Sequence, residues 1–197
     1  MSALASYQRA QDGLETMLGT VPADRWDAPS ACAQWSVRDV AGHVIWGQEQ
    51  LRCWLTGEEY TGPPGGPGTP HPGQLAGVDP VAAWSRARTA CTDSLTDDAL
   101  ARTITLPGLG VRPLSAMVTI VTNDSLIHTW DIGHALGLDV HLPADLVAAS
   151  LAWARDNVIR MPGFFGPELV PPSDADEQNR WLAFLGRAAW QPVTAGA

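Results

Sequence analysis

Asn123-Asp124-Ser125-Leu126-Ile127-His128-Thr129-Trp130-Asp131 lies in the middle of the longest uninterrupted helical pattern in the chain. Pro113 suits the first turn of that helix and Gly137 its C-terminal stop, so the pattern runs to Leu136. At about 1.5 Å per residue it spans on the order of 36 Å. On such a helix Asp124 and His128 stand one turn apart on one face, and Asp131, seven residues past Asp124, falls nearly on the same line. Met117, Ile120, Val121 and Ala135 share the stripe, which predicts that it faces a core.

Working outward, the other long segments also read as helices. Residues 2–19 place Leu4, Tyr7, Gln11, Leu14 and Leu18 at three- and four-residue spacing. Ser36-Val37-Arg38-Asp39 resembles a capping box and opens a second helix, with Val37, Val40, Val44, Leu51 and Leu55 inward and Gly57 at its end. His43, Gly47 and Gln50 run along that helix on one face. Gly47 costs about 1 kcal/mol relative to Ala there, and close approach of a neighbouring helix or a ligand is one reason to tolerate it. A third helix follows Asp79-Pro80 to Leu95, with Val81, Trp84, Cys91 and Leu95 inward. A fifth runs from Pro143 to before Pro162, and a short last one spans Asp176–Arg187.

Two stretches break the helical pattern. Residues 57–78 hold seven Gly and five Pro, which predicts a long crossover loop without regular structure, suited to a lid. Within it His71, between two prolines, is expected to be exposed. Thr103-Ile104-Thr105-Leu106, then Pro107-Gly108-Leu109-Gly110 and Val111, reads as a short strand or hairpin over 103–111. The fold class is therefore all-α: one domain over 1–197, a four-helix bundle with a long crossover and additional C-terminal helices.

Bulk composition narrows the function. A net charge of −9, from 12 cationic and 21 acidic residues, disfavours a nucleic-acid partner. The absence of an apolar run of spanning length disfavours a membrane, and no signal pattern precedes the first helix, so the cytoplasm is expected. Three scattered cysteines, Cys32, Cys53 and Cys91, make neither a disulfide framework nor a thiolate zinc knot. None of them falls on the stripes carrying the candidate ligands, which is consistent with a supplied thiol.

Two imidazoles and a carboxylate from two helices, His43, Asp124 and His128, make a three-point metal site with open positions. The ordinary alternative is a hydrogen-bonded His–Asp pair in a core. Asp131 then reads as a ligand, as an acceptor orienting His128, or as an arginine's partner. Trp46, three past His43, and Gln50 are pocket candidates, with core packing the commoner fate of a tryptophan; Trp130 is assigned to the core. Arg52 and Arg112 are candidates for gripping a substrate carboxylate, and His134 and His141 are expected to be solvated.

Three segments carry a family resemblance. Trp35-Ser36-Val37-Arg38-Asp39-Val40-Ala41-Gly42-His43 resembles the W-[ST]-V-x-D-x-x-x-H segment of the DinB-like metal-binding bundles. Asp124-Ser125-Leu126-Ile127-His128-Thr129-Trp130-Asp131-Ile132 is similar to E-x-x-x-H-x-W-D-L of the actinobacterial branch related to mycothiol-dependent maleylpyruvate isomerase. Phe165 to Pro171 and Leu185-Gly186-Arg187 resemble its tail, so the likeness covers essentially the whole chain. The resemblance implies a divalent metal, commonly zinc, on His43, Asp124 and His128. It also implies mycothiol as co-substrate and S-transfer to, or isomerisation of, a small electrophile through a metal-bound thiolate. Asp124 stands where the family has Glu, one methylene longer, which leaves metal strength, identity and occupancy open. A non-catalytic metal or small-molecule binding bundle and a thiol-independent metal hydrolase are the alternatives; a homodimer is compatible with each.

Overall fold

The computed structural model describes residues 2–106, 110–161 and 163–191. Four long helices make the bundle: α1 (Ala3–Thr20), α2 (Val37–Thr56), α3 (Pro80–Asp93) and α5 (Leu114–Ala135). A one-turn α4 (Asp97–Leu100) precedes an antiparallel hairpin, β1 (Thr103–Leu106) with β2 (Gly110–Pro113), paired from Thr103 opposite Pro113 to Leu106 opposite Gly110. The expected turn at 107–109 and the boundary at Pro162 lie outside the described residues. α6 (Ala144–Asn157) and α7 (Glu177–Phe184) pack on each other beside the bundle. The expected all-α bundle with a hairpin near 103–111 and added C-terminal helices is what the chain forms.

The helix starts follow local chemistry. Ser36 caps α2 through the reciprocal capping box with Asp39, and Asp79 and Asp176 cap α3 and α7. The last helix is shorter than the expected Asp176–Arg187: it stops at Phe184, and Gly186 at φ 79° turns the chain so that Arg187 points back to the bundle. Ile120, expected inward, is 39% exposed, because α5 packs against α1 and α2 on its other faces.

The crossover loop is more ordered than its composition predicts. Pro72–Ala76 form a 3-10 turn laid on α2, and its Gly73 N–H donates to Asp39 Oδ1 at 2.9 Å. Gly42 permits this contact: a Cβ there would lie 2.0 Å from the Pro72 carbonyl oxygen. The same Asp39 carboxylate thus caps the helix and anchors the loop. The glycines and prolines fit the loop to the helix surface.

Candidate metal centre

α2 and α5 face each other, and their opposed stripes bring His43, Asp124 and His128 together. Asp124 Oδ1 lies 3.3 Å from His43 Nε2 and 3.4 Å from His128 Nε2. The two imidazole rings are 5.1 Å apart and nearly perpendicular. Both histidines are buried, while 26% of the Asp124 side chain is exposed.

The other ring nitrogens decide what those atoms can do. His43 Nδ1 is 2.6 Å from the Gly65 carbonyl, which can only accept, so Nδ1 carries the hydrogen. His128 Nδ1 is 2.9 Å from Asp131 Oδ2, again an acceptor. With neutral rings, both Nε2 lone pairs then face a carboxylate oxygen. Three acceptors aimed at one point repel unless a proton or a cation lies among them. Burial alone would push His128 down, but the Asp124 and Asp131 carboxylates outweigh it and hold the imidazolium well above its ordinary range. The two imidazoles likewise outweigh burial at Asp124 and hold its carboxyl well below the usual range.

Asp131 is fully buried and saturated with donors. Arg187 gives it two hydrogen bonds, 3.1 Å to Oδ1 and 2.9 Å to Oδ2, and Cys32 Sγ donates to Oδ2 at 3.0 Å. The guanidinium and His128 overcome the burial cost and keep the carboxylate ionised. Of its three open readings, Asp131 takes two at once: it orients His128 and pairs with an arginine.

Sequence reasoning missed Cys32 and Arg187 as neighbours of the cluster. Cys32 arrives on the Ser30–Trp35 loop, where Gln34 is held at φ 71°, a strained backbone for a side-chain-bearing residue. Burial and the Asp131 carboxylate push the Cys32 thiol up. Trp35, from the same loop, sits 4.9 Å from the His43 ring and donates its indole N–H to the Thr69 carbonyl at 2.9 Å. Its place in the Trp35–His43 motif was the available signal.

The remaining candidates separate. Trp46 stacks at 5.9 Å on His43 and is covered by Gly65 and Gly66, so it walls the site. Gln50 is half-buried on α2 and makes no hydrogen bond among the described residues. Arg52 is taken by Glu49 and Glu58, at 3.1 and 2.5 Å, and Arg112 sits exposed on the hairpin, so neither grips a ligand at this centre. His134, expected to be solvated, is half-buried on Trp130 at 4.4 Å with its Nε2 against the Gln191 carbonyl. His71 and His141 are exposed.

The residues present fit a divalent cation. Two imidazole nitrogens and one carboxylate oxygen lie within 4.8 Å of one another, a donor set suited to zinc and its neighbours that leaves positions open once the cation displaces the His128 proton. A second group, Cys32, His128 and Asp131, meets the same distance test but has the Arg187 guanidinium on it, which opposes another cation.

The comparisons agree with this architecture. A profile of the mycothiol maleylpyruvate isomerase N-terminal domain matches residues 7–133, which include all three converging side chains. Uncharacterised proteins from two strains of Mycobacterium tuberculosis are each 32% identical to the chain over 191 residues, covering 95% of it and 98% of their own length. No solved structure matches the chain. No helix among the described residues is long and apolar enough to cross a membrane.

Proposed function

Because the chain belongs to the mycothiol maleylpyruvate isomerase N-terminal domain family, we propose that it is a divalent-metal protein that uses a supplied thiol, mycothiol, in S-transfer to or isomerisation of a small electrophile. The observation that carries this reading is the convergence of three acceptor atoms, His43 Nε2, Asp124 Oδ1 and His128 Nε2, on one point. His43 and His128 hold the ion, zinc in the first instance, and Asp124 completes the set. Bound there, such an ion lowers the pKa of a thiol and polarises a carbonyl.

The protein's own groups do the rest. Gly65 and Asp131 hold both imidazoles through Nδ1, so that each ring turns its Nε2 toward the ion, which takes the place of the His128 proton. Trp35 and Trp46 keep water from the flanks of His43. The chain's nearest thiol does not share the Nε2 side of His128: Cys32 Sγ is 3.7 Å from Nδ1, behind the ring. Cys53 and Cys91 are buried elsewhere, with Cys91 against Tyr7. No thiol of the chain thus lies on the ion's side of the histidines, which is consistent with a thiol co-substrate.

The test is turnover of a small electrophile such as maleylpyruvate by zinc-loaded protein with and without mycothiol. Dependence on both metal and thiol supports the reading. Turnover without thiol identifies a metal hydrolase instead, and metal binding without turnover identifies a binding bundle.

A further inference from the structure

The converging atoms are walled on most sides. Trp35 and its bond to Thr69 close one flank of His43, and Trp46 under Gly65 and Gly66 closes another. Behind His128 stands Asp131, held by Cys32 and Arg187. The cavity of about 770 Å³ that Cys32, Trp35, Trp130, His134 and Arg187 line lies beyond that wall; none of His43, Asp124 and His128 borders it.

The flank left is at Gly47, one turn after His43. Gly47 is buried in the middle of α2, yet a Cβ built on it meets a single atom within 4 Å, Asp124 Oδ2 at 3.8 Å. That is an ordinary contact. Gly42, Gly65 and Gly133 differ, since a Cβ there would lie 2.0, 2.4 and 2.3 Å from a neighbour. Packing therefore demands glycine at those three positions and does not demand it at 47, where alanine would fit and favour the helix. Asp124, directly opposite, is the one partly exposed member of the cluster.

We propose that Gly47 is the specificity-determining residue of this centre: its missing side chain keeps open the hollow beside Asp124 Oδ2 that admits the sulfur-bearing arm of the supplied thiol. The inference rests on the metal and thiol reading above. It assigns the approach of the thiol to the α2–α5 flank and leaves the cavity behind Cys32 out of the reaction path.

Cobalt(II)-loaded wild type, Gly47→Ala and Gly47→Val are titrated with N-acetylcysteine, following the sulfur-to-cobalt absorption band, with Gly13→Ala as the control. Gly13 is a helical glycine with nothing within 4 Å. Both alanine variants should melt at or above wild type and take up cobalt as wild type does. Gly13→Ala should bind the thiol unchanged, while Gly47→Ala binds it about tenfold or more weakly and Gly47→Val weaker still, a loss read in the binding constant. Equal thiol binding by all four proteins overturns the inference while leaving the metal reading standing. Loss of cobalt itself from Gly47→Ala overturns it too, because the residue would then serve the ion and not the thiol. Wild type that takes up no cobalt, or shows no sulfur band, overturns the metal and thiol reading and this inference with it.

Discussion

Cys32 Sγ lies 3.0 Å from Asp131 Oδ2, across 99 residues of sequence, and joins a loop thiol to the carboxylate that orients His128. The contact ties three separate parts of the chain to one buried charge, since Arg187 approaches the same carboxylate from beyond α7. Asp131 is therefore where the bundle, the Ser30–Trp35 loop and the C-terminal segment meet.

Replacing Asp131 with asparagine should cost stability as well as metal. The change leaves the Arg187 guanidinium, itself only 12% exposed, without its counter-charge, which costs about 3–5 kcal/mol for a buried pair broken on one side. It also replaces one carboxylate oxygen with an amide NH2 and removes the charge, weakening the acceptor that fixes the His128 tautomer, so metal affinity should fall about 10–100-fold. Denaturant unfolding and competitive metal titration measure the two effects separately. A variant with wild-type values in both would show that the carboxylate orients nothing.

Gly42→Ala should lift the crossover loop from α2. The new Cβ would meet the Pro72 carbonyl oxygen at 2.0 Å and Gly73 N at 2.9 Å, both backbone atoms that cannot swing aside. Overpacking of this kind costs about 1–3 kcal/mol, which for a chain of this length lowers Tm by on the order of 5 °C. Calorimetry checks it, and an unchanged Tm would mean that the loop is not seated on the helix as described.

Metal uptake should release a proton. In the metal-free protein the carboxylates hold His128 protonated above its ordinary range. That proton stabilises the folded state fully below about pH 6.5, and the contribution is lost as pH rises through the raised folded value. The depressed Asp131 carboxyl has the opposite sign: its contribution is present above about pH 4 and is lost as pH falls toward its folded value. A cation competes with the His128 proton, so affinity should rise with pH from about 6.5 toward the raised folded value. Calorimetric titration in buffers of different ionisation enthalpy reads the proton count directly. Affinity that stays flat across that range would contradict the electrostatics described for His128.

The elements visible in the sequence were those set by neighbouring residues. Ser36 and Asp39 mark the start of α2 three residues apart, and Pro113 with Gly137 brackets α5. Helical periodicity alone places Asp124 beside His128. What pairs across the fold was not visible: nothing near Cys32 or Arg187 in the chain signals Asp131, because loop path and the Gly186 turn deliver them. The glycine-rich loop was misread as structureless for a related reason. Its glycines serve close contact with α2 residues such as Trp46 and Asp39, and such complementarity leaves no periodic mark.

The central claim is that His43, Asp124 and His128 hold one divalent ion between α2 and α5. The most direct measurement is metal content, by elemental analysis after purification without an affinity tag, of wild type, His43→Ala and His128→Ala. Wild type should carry close to one ion per chain and each variant almost none, with helical content preserved. Variants that retain the metal content of wild type would contradict the claim.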